Sequence, residues 1–443
     1  MKQKFDPNDL YIHNKSEFLK IYDSLDSFYC GYINRKKILI LLDFWMYGFR
    51  AVLQEYGIEA AKQYSFDKNT FSTPEFSWIY EFNHDIRNGK KPIYSVYFFN
   101  ILSIFVKRYS APGTPIKTIF DKIRWRASKL IILSSPVNFS NHRKDDLIEI
   151  LLSTFDHDKK DEIRICFEFG LPDLFYAEQN HVKNSKKSGV ILDAAPTNFL
   201  DFNGIENILL FDSYVKLVGR QHGGGFGAYI NEFSAMYEFE LSDTFIGWGL
   251  CDVNEEQHRY KVKVLGTKKP DKKRIIWIER AKVPIFYKYV WPCTFEQGID
   301  DEPIRTIYSV FQALDIKYFN LPYAGFFECS MYDGLRGLKL FNSGMGEKII
   351  ENNDILIFDN FFSSLIFYCV KNKITFICVT TNNDFSNFTK PTIEWFNLLH
   401  KYGFAFFSEE KKELELRLKE LDDINATIPK AVTDFHYANF INI

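Results

Sequence analysis

One glycine-rich segment carries residue types that can bind an anion and move a proton. It reads Gln221-His222-Gly223-Gly224-Gly225-Phe226-Gly227 and follows the apolar run Val215 to Val218. Glycines permit a positive φ and a close approach of the backbone, so their N–H groups can surround a phosphate or carboxylate. An imidazole beside such a pocket can hydrogen-bond to phosphate or act as acid or base. We predict a catalytic His222, with phosphate-binding roles for Gln221, Gly223, Gly224 and Gly225.

The same glycines also fit a tight turn that binds nothing, and this alternative stays open. The spacing differs from the common phosphate-binding motifs. No Lys-Ser/Thr pair follows, as a P-loop requires, and the Gly-x-Gly-x-x-Gly spacing of dinucleotide-binding folds is absent. The segment therefore predicts either an anion site of no standard class or a structural turn.

The stretch from about Tyr229 to Leu241 predicts a helix with an apolar and a polar stripe. The apolar stripe is Ile230, Phe233, Tyr237 and Leu241, and the polar stripe is Asn231, Ser234, Glu238 and Ser242. We predict that Glu238 faces a cleft and acts as a general base. The alternative is a glutamate exposed to solvent.

A second polar cluster follows the apolar run Ile355 to Phe358, which predicts a buried strand. Asp359 and Asn360 stand where this strand would end, and Ser363 and Ser364 stand where an apolar helix would begin. The two hydroxyls can cap that helix or hold a phosphate at its N-terminus. All four residues are predicted to bind the phosphate-bearing ligand.

Asp156-His157-Asp158 has the Asp-x-Asp form that can hold a metal bound to a nucleotide. Four charged residues follow it, which favours a solvated loop. The remaining histidines show neither His-x-x-x-His nor His-Glu-x-x-His spacing. We therefore predict no metal site and no cofactor.

The organisation of the chain changes along its length. The first 160 or so residues show helical periodicity, whereas short apolar runs alternate with helical stretches from about residue 189. These runs are Val190 to Leu192, Ile208 to Phe211, Val215 to Val218, Lys261 to Leu265, Ile275 to Ile278, Ile355 to Phe358 and Ile374 to Cys378. Such alternation is typical of βαβ units with a parallel sheet. A polar, turn-rich stretch from Cys251 to Lys272 predicts a boundary between domains 1–255 and 256–443.

Length, charge and cysteine content narrow the protein class. The 443 residues exceed what one hydrophobic core usually serves. A net charge of -2 argues against a nucleic-acid partner. Seven scattered cysteines argue against a disulfide framework. No apolar stretch is long enough to span a bilayer, and the start lacks a signal region. We expect a cytoplasmic protein, with basic loops available for peripheral contact at the inner membrane.

Several motifs together resemble a family of bacterial transferases of surface-carbohydrate biosynthesis, found among O-antigen gene clusters. The motifs are Leu171-Pro172-Asp173-Leu174-Phe175, the segment Gln221 to Gly227, Glu238, and Leu241-Ser242-Asp243-Thr244-Phe245-Ile246-Gly247-Trp248-Gly249. The resemblance covers about residues 165 to 410. It implies an α/β fold similar to the GT-B glycosyltransferases, with two Rossmann-like domains, and the helix-rich N-terminal third lies outside it.

The resemblance implies a metal-independent glycosyltransferase with a nucleotide-sugar co-substrate. The enzyme would move a sugar, such as a CMP-activated acidic sugar, to a surface-glycan or lipid-linked acceptor. His222 would bind donor phosphate or assist proton transfer, and Glu238 would act as base. Asp359, Ser363 and Ser364 match the place of a hydroxyl-rich donor loop. We expect the two domains to close over the nucleotide between this loop and the His222 segment.

Two other functions fit the same residues. A polyol-phosphate transferase would need the anion pocket without contacts to a sugar ring. A non-catalytic glycan- or nucleotide-binding protein would account for two departures from the family pattern. Leu365 to Tyr368 lacks the glutamate that commonly binds donor ribose, and Val283-Pro284-Ile285 lacks an expected arginine.

Overall fold

The computed structural model describes residues 7–62, 140–178, 190–194, 214–220, 227–230, 233–246, 274–278, 302–321, 350–351, 353–361, 363–421 and 428–440. The helices are α1 (Pro7–Phe28), α2 (Arg35–Tyr56), α3 (Ile58–Lys62), α4 (Asn141–Leu152), α5 (Lys160–Gly170), α6 (Phe233–Leu241), α7 (Glu302–Ala313), α8 (Ser364–Asn372), α9 (Asn382–Ser386), α10 (Lys390–Lys401), α11 (Lys411–Leu421) and α12 (Lys430–Phe440). The strands are β1 (Val190–Ala194), β2 (Val215–Arg220), β3 (Thr244–Ile246), β4 (Ile275–Ile278), β5 (Tyr318–Leu321), β6 (Ile355–Phe358), β7 (Thr375–Thr380) and β8 (Ala405–Phe407).

The protein has a mixed α/β fold with a helix-rich N-terminal region, as the sequence predicts. Its main sheet has five parallel strands in the order β5-β4-β6-β7-β8. Strand β4 comes first of the five in the sequence and lies between the next two, β5 and β6, in the sheet. The direction in which successive strands are added therefore reverses between β4 and β6. In open sheets of this order, ligands bind beyond the carboxyl ends of the strands at the reversal.

Helices cover both faces of this sheet because its strands are apolar on both faces. On one face, α7 and α11 bury Ile307, Val310 and Leu414 against Trp277 and Ile357. On the other face, α8, α10 and α12 pack on a second set of buried strand residues, Ile276, Leu356, Phe358, Phe376 and Cys378. The helix that follows β4 and the helix that follows β6 therefore lie on opposite faces.

By its contacts the chain divides into two compact units. Unit 1 is Met1–Val218 with Glu240–Asp243, and unit 2 is Gly219–Phe239 with Thr244–Ile443. Arg220 and Gly227, the described residues on either side of the glycine-rich segment, belong to the same unit as the five-stranded sheet. The boundary that the sequence predicts, Cys251 to Lys272, lies outside the described residues and stays a prediction.

In unit 1, helix α2 contains the longest apolar run of the sequence, Ile38 to Leu53, and the two charged side chains within this run, Asp43 and Arg50, are buried and bonded. The Asp43 carboxylate accepts from Asn14 Nδ2 at 2.7 Å and pairs with Lys15 Nζ at 2.6 Å. Arg50 Nη1 donates to Asn14 Oδ1 at 3.3 Å, and its guanidinium lies 4.8 Å from the ring centroid of Phe155. Buried charges persist when they are paired in this way. Within the described part of the chain, no helix is both long enough and apolar enough to cross a membrane.

The amino ends of β4 and β6 are joined by an ion pair whose carboxylate, that of Asp354, is buried. Arg274 donates from Nε and Nη2 to the two carboxylate oxygens of Asp354, at 2.8 and 2.7 Å. The backbone N–H of Glu351 also donates to Asp354, at 2.7 Å. A bidentate pair of this kind fixes geometry as well as charge. It therefore sets the register of the two strands that border the reversal of the sheet.

Several elements of unit 2 were not expected from the sequence, among them two strands of the five-stranded sheet and the last helix. Tyr318–Leu321 and Ala405–Phe407 are strands β5 and β8, and neither segment is among the apolar runs named in the sequence analysis. The sequence predicts a charged helix near Glu409 to Asp422 followed by an irregular tail. The prediction of the tail is wrong, because Lys430–Phe440 forms α12. This helix buries Val432 and His436 against the sheet-covering helices.

His436 couples the stability of unit 2 to pH. Its ring is buried, with centroids 4.8 Å from Phe367 and 4.9 Å from Trp395. Burial lowers the pKa of His436 to about 3. The unfolded chain takes up this proton near pH 6.5, whereas the folded chain takes it up only near pH 3. Stability therefore falls as the pH drops below about 6.5.

We predict that replacing His436 by phenylalanine, which keeps an aromatic ring, removes this dependence. Denaturant unfolding at pH 7 and pH 5 measures it. The native protein should lose about 2 kcal/mol more stability over this interval than His436→Phe does, from the difference between the two pKa values. An equal loss in both proteins would show that His436 does not stay neutral in the folded state.

Candidate active site

The residues on which the sequence prediction depends most lie outside the described residues. Gln221, His222, Gly223, Gly224 and Gly225 belong to the undescribed stretch 221–226. Their predicted roles in catalysis and phosphate binding stay predictions. The structure describes the chain on both sides of them, at the end of β2 and from Gly227 onward.

The chain at the end of this segment is anchored by three hydrogen bonds to the loop between α9 and α10. Gly227 has a φ of 73°, and its carbonyl accepts from Thr389 Oγ1 at 3.0 Å. The carbonyl of Ala228 accepts from the Thr389 N–H at 2.9 Å, and the N–H of Ile230 donates to the Asn387 carbonyl at 2.8 Å. Tyr229 and Phe388 form an antiparallel bridge between these hydrogen bonds. The end of the glycine-rich segment is thus held in a defined place.

Phe388 connects this anchor to the loop that follows β6. Its ring centroid lies 5.3 Å from that of Tyr229 and 5.4 Å from that of Phe361, which stacks on it. Phe361 comes two residues after Asp359, and all three aromatic side chains are buried in one cluster. The chain that follows the glycine-rich segment and the loop that follows β6 are more than a hundred residues apart in sequence, and they meet at Phe388 in unit 2.

Asp359 lies at the carboxyl end of β6, the strand next to the reversal of the sheet, and is completely buried. Trp277 on β4 donates from Nε1 to Asp359 Oδ2 at 3.4 Å, and Asn360 Nδ2 donates to Oδ1 at 3.4 Å. Both contacts are longer than the usual 2.7–3.2 Å range of N–H···O bonds. A carboxylate at this edge of the sheet can accept hydrogen bonds from ligand hydroxyl or N–H groups.

The serine pair begins helix α8, as predicted. Ser363 is the N-cap residue, and its Oγ accepts from the Leu365 N–H at 3.3 Å. The capping role that the sequence left open is therefore present for Ser363. Capping uses an oxygen lone pair and leaves the hydroxyl proton for another acceptor. Ser364 is the first residue of the helix, where backbone N–H groups point out of the helix toward an anion.

Glu238 lies on α6 and is 1% exposed, so the alternative of a solvent-exposed glutamate is wrong. The helix runs Phe233–Leu241, shorter than the sequence predicts, and packs through Ala235 and Phe239 against Phe245 of β3. A buried carboxylate is costly unless it is bonded or has a function. Its predicted role as a base stays a prediction.

Asp243, part of the Leu-Ser-Asp motif, is a structural anchor that the sequence analysis did not identify. Its carboxylate accepts from Lys37 Nζ at 2.6 Å, from the Leu217 N–H at 2.7 Å and from the Tyr214 hydroxyl. Burial alone would raise the pKa of Asp243, but these hydrogen bonds outweigh it and hold the pKa below its usual range. The hydrogen bond between Tyr214 and Asp243 raises the pKa of Tyr214 to about 12. Lys37 lies 206 residues away from Asp243 in the sequence, so no local sequence pattern predicts this contact.

Within the described residues, no group of three or more His, Cys, Asp or Glu side chains is placed to hold a metal ion. Asp156, His157 and Asp158 are exposed at a short 3-10 helix, His157–Lys159, which agrees with the solvated loop favoured by the sequence.

Comparison of the chain with protein-family models, with curated proteins and with solved structures gave no match. Function therefore has to be inferred from the chain itself.

We predict that Asp243 stabilises the fold and does not act on a ligand. Asp243→Asn keeps the shape of the side chain but removes the charge that balances Lys37, whose side chain is 8% exposed. The free energy of unfolding should fall by about 1–3 kcal/mol, the cost of leaving a buried polar group poorly paired. Denaturant titration measures this change.

Asp26→Asn is the matched control, because Asp26 pairs with Arg35 at the surface, with side chains 32% and 42% exposed. Such a pair contributes about 0–1 kcal/mol. If Asp243→Asn were no more destabilising than this control, Asp243 would not be an anchor, and its place in the motif would need a ligand to explain it.

Proposed function

We propose that the protein is a metal-independent, GT-B-type glycosyltransferase with two Rossmann-like domains. It transfers a sugar from a nucleotide-sugar donor, such as a CMP-activated acidic sugar, to a surface-glycan acceptor in the cytoplasm or at the inner membrane. The donor nucleotide binds at the carboxyl edge of the five-stranded sheet. The observation that supports this proposal most is the junction at Phe388, which joins the end of the glycine-rich segment to the loop after β6.

The roles within the site follow from the chemistry of each group. The hydroxyl of Ser363 and the first N–H groups of α8 bind donor phosphate, because a helix N-terminus favours an anion. Asp359 accepts hydrogen bonds from neutral donor groups such as ribose hydroxyls, since an ionised carboxylate repels phosphate. His222 binds phosphate or transfers a proton, and Glu238 is the base that activates the acceptor.

The first test is binding of CMP, CDP, UDP, GDP and ADP, followed as a rise in melting temperature with EDTA present. A nucleotide at a hundred times its dissociation constant should stabilise the protein by about 2.7 kcal/mol. At least one of the five should do so. Loss of transfer on chelation, reproduced by Asp156→Ala with Asp158→Ala, would replace this proposal with a metal-dependent mechanism.

His222→Ala separates catalysis from folding. We expect hydrolysis or transfer of the donor to fall at least tenfold, since one lost charge-assisted hydrogen bond of about 1.5–3 kcal/mol is worth a decade or more in rate. The melting temperature should be unchanged. His157→Ala, on the exposed 3-10 helix, is the control and should change neither quantity.

Two results would count against a catalytic His222. Unchanged turnover would remove its role in the reaction, and a variant that simply unfolds would make it a structural residue of a tight turn. Nucleotide binding without any transfer would favour the non-catalytic binding protein.

A further inference from the structure

Asn320 is a buried asparagine whose side chain has no hydrogen-bond partner within the described part of the chain. It lies on β5 and is 1% exposed, and neither Nδ2 nor Oδ1 is bonded. A buried polar group left unpaired costs about 1–3 kcal/mol. Because folded proteins pair nearly all such groups, each exception needs an explanation from function or from a bound molecule.

The position of Asn320 places it beside the candidate site. It is the register partner of Trp277, which is in turn the partner of Ile357 on β6. Register partners on neighbouring parallel strands project to the same face of a sheet. Only Leu321 separates Asn320 from the end of β5. Asn320 therefore lies near the carboxyl edge, on the face where Trp277 donates its hydrogen bond to Asp359.

The chemistry of this position suits a flat, uncharged ligand group. Trp277 and Tyr318 border Asn320, and their ring centroids are 5.7 Å apart. An amide carries no charge to balance a phosphate. It presents one donor and one acceptor side by side, which is the arrangement that the edge of a nucleobase matches with two hydrogen bonds.

We propose that Asn320 recognises the base of the donor nucleotide. This inference rests on the proposed function and adds to it the residue that distinguishes a nucleotide from other phosphate esters. The amide of Asn320 pairs with the base at the end of β5, Asp359 accepts from the ribose, and the start of α8 holds the phosphate. The three groups are thus ordered across the sheet from β5 through the reversal to β6 and α8.

Asn320→Leu tests the proposal, because leucine has the same number of side-chain heavy atoms as asparagine, a similar branched shape and no polar atoms. In the absence of ligand, the melting temperature should stay the same or rise, since an unpaired buried amide has been removed. The dissociation constant of the nucleotide that stabilises the native protein should rise at least tenfold. Binding of ribose 5-phosphate, which has no base, should not change. If leucine impairs folding because it is larger than asparagine, Asn320→Ala replaces it as the test variant. Asn320→Ala should show the same loss of nucleotide affinity and the same unchanged binding of ribose 5-phosphate.

Asn14→Leu is the matched control. Asn14 is also 1% exposed, but its amide bonds to Asp43 and Arg50, so its replacement should lower the melting temperature without changing nucleotide affinity. Destabilisation by both Asn320→Leu and Asn320→Ala as large as that of the control would show that the amide is satisfied within the fold, by water for example, and would overturn the proposal. If both Asn320 variants bound the nucleotide as tightly as the native protein does, the role of Asn320 would be overturned, whereas the proposed function would stand. If the native protein bound none of the nucleotides, both proposals would fail.

Discussion

The packing of Tyr229 and Phe361 on opposite sides of Phe388 is the contact on which the candidate site depends. Asp359 and Asn360 stand immediately before Phe361, and the glycine-rich segment ends two residues before Tyr229. Buried aromatic pairs add about 0.5–1.5 kcal/mol to the energy of area burial, so this cluster can hold irregular chain in a fixed place. The hydrogen bonds of Thr389 to Gly227 and Ala228 then orient the backbone where the glycine-rich segment ends.

The sheet supplies the second constraint. Arg274 and Asp354 fix the register of β4 and β6 at their amino ends, so that Trp277 and Asp359 come within hydrogen-bonding distance at the carboxyl ends. The winding reverses between the same two strands. A site at this edge therefore uses the parallel sheet of unit 2 to position groups from β5, β6 and the start of α8. Rigid support of this kind is what precise ligand recognition requires.

Much of unit 2 could be predicted from the sequence because its central strands are continuous apolar runs. Ile275 to Ile278, Ile355 to Phe358 and Ile374 to Cys378 all lie in the sheet. Tyr318–Leu321 escaped prediction because the strand is short and contains Asn320, a residue that strands disfavour.

The site was harder to predict, since its contacts are long-range. The bond from Thr389 to Gly227 spans 162 residues, and local periodicity carries no information on such pairs. Burial of Glu238 on the polar stripe of a short helix was missed for the same reason: tertiary packing decided it.

Hydrogen exchange of the backbone amides, measured by mass spectrometry with and without a saturating nucleotide, tests the central claim most directly. The account predicts slower exchange with nucleotide in the peptides that contain Asp359 to Leu365, Gly227 to Ile230 and Asn387 to Thr389. Exchange at the amino edge of the sheet, around Arg274 and Asp354, should not change. Protection confined to that amino edge or to unit 1, with none at the three site segments, would contradict it.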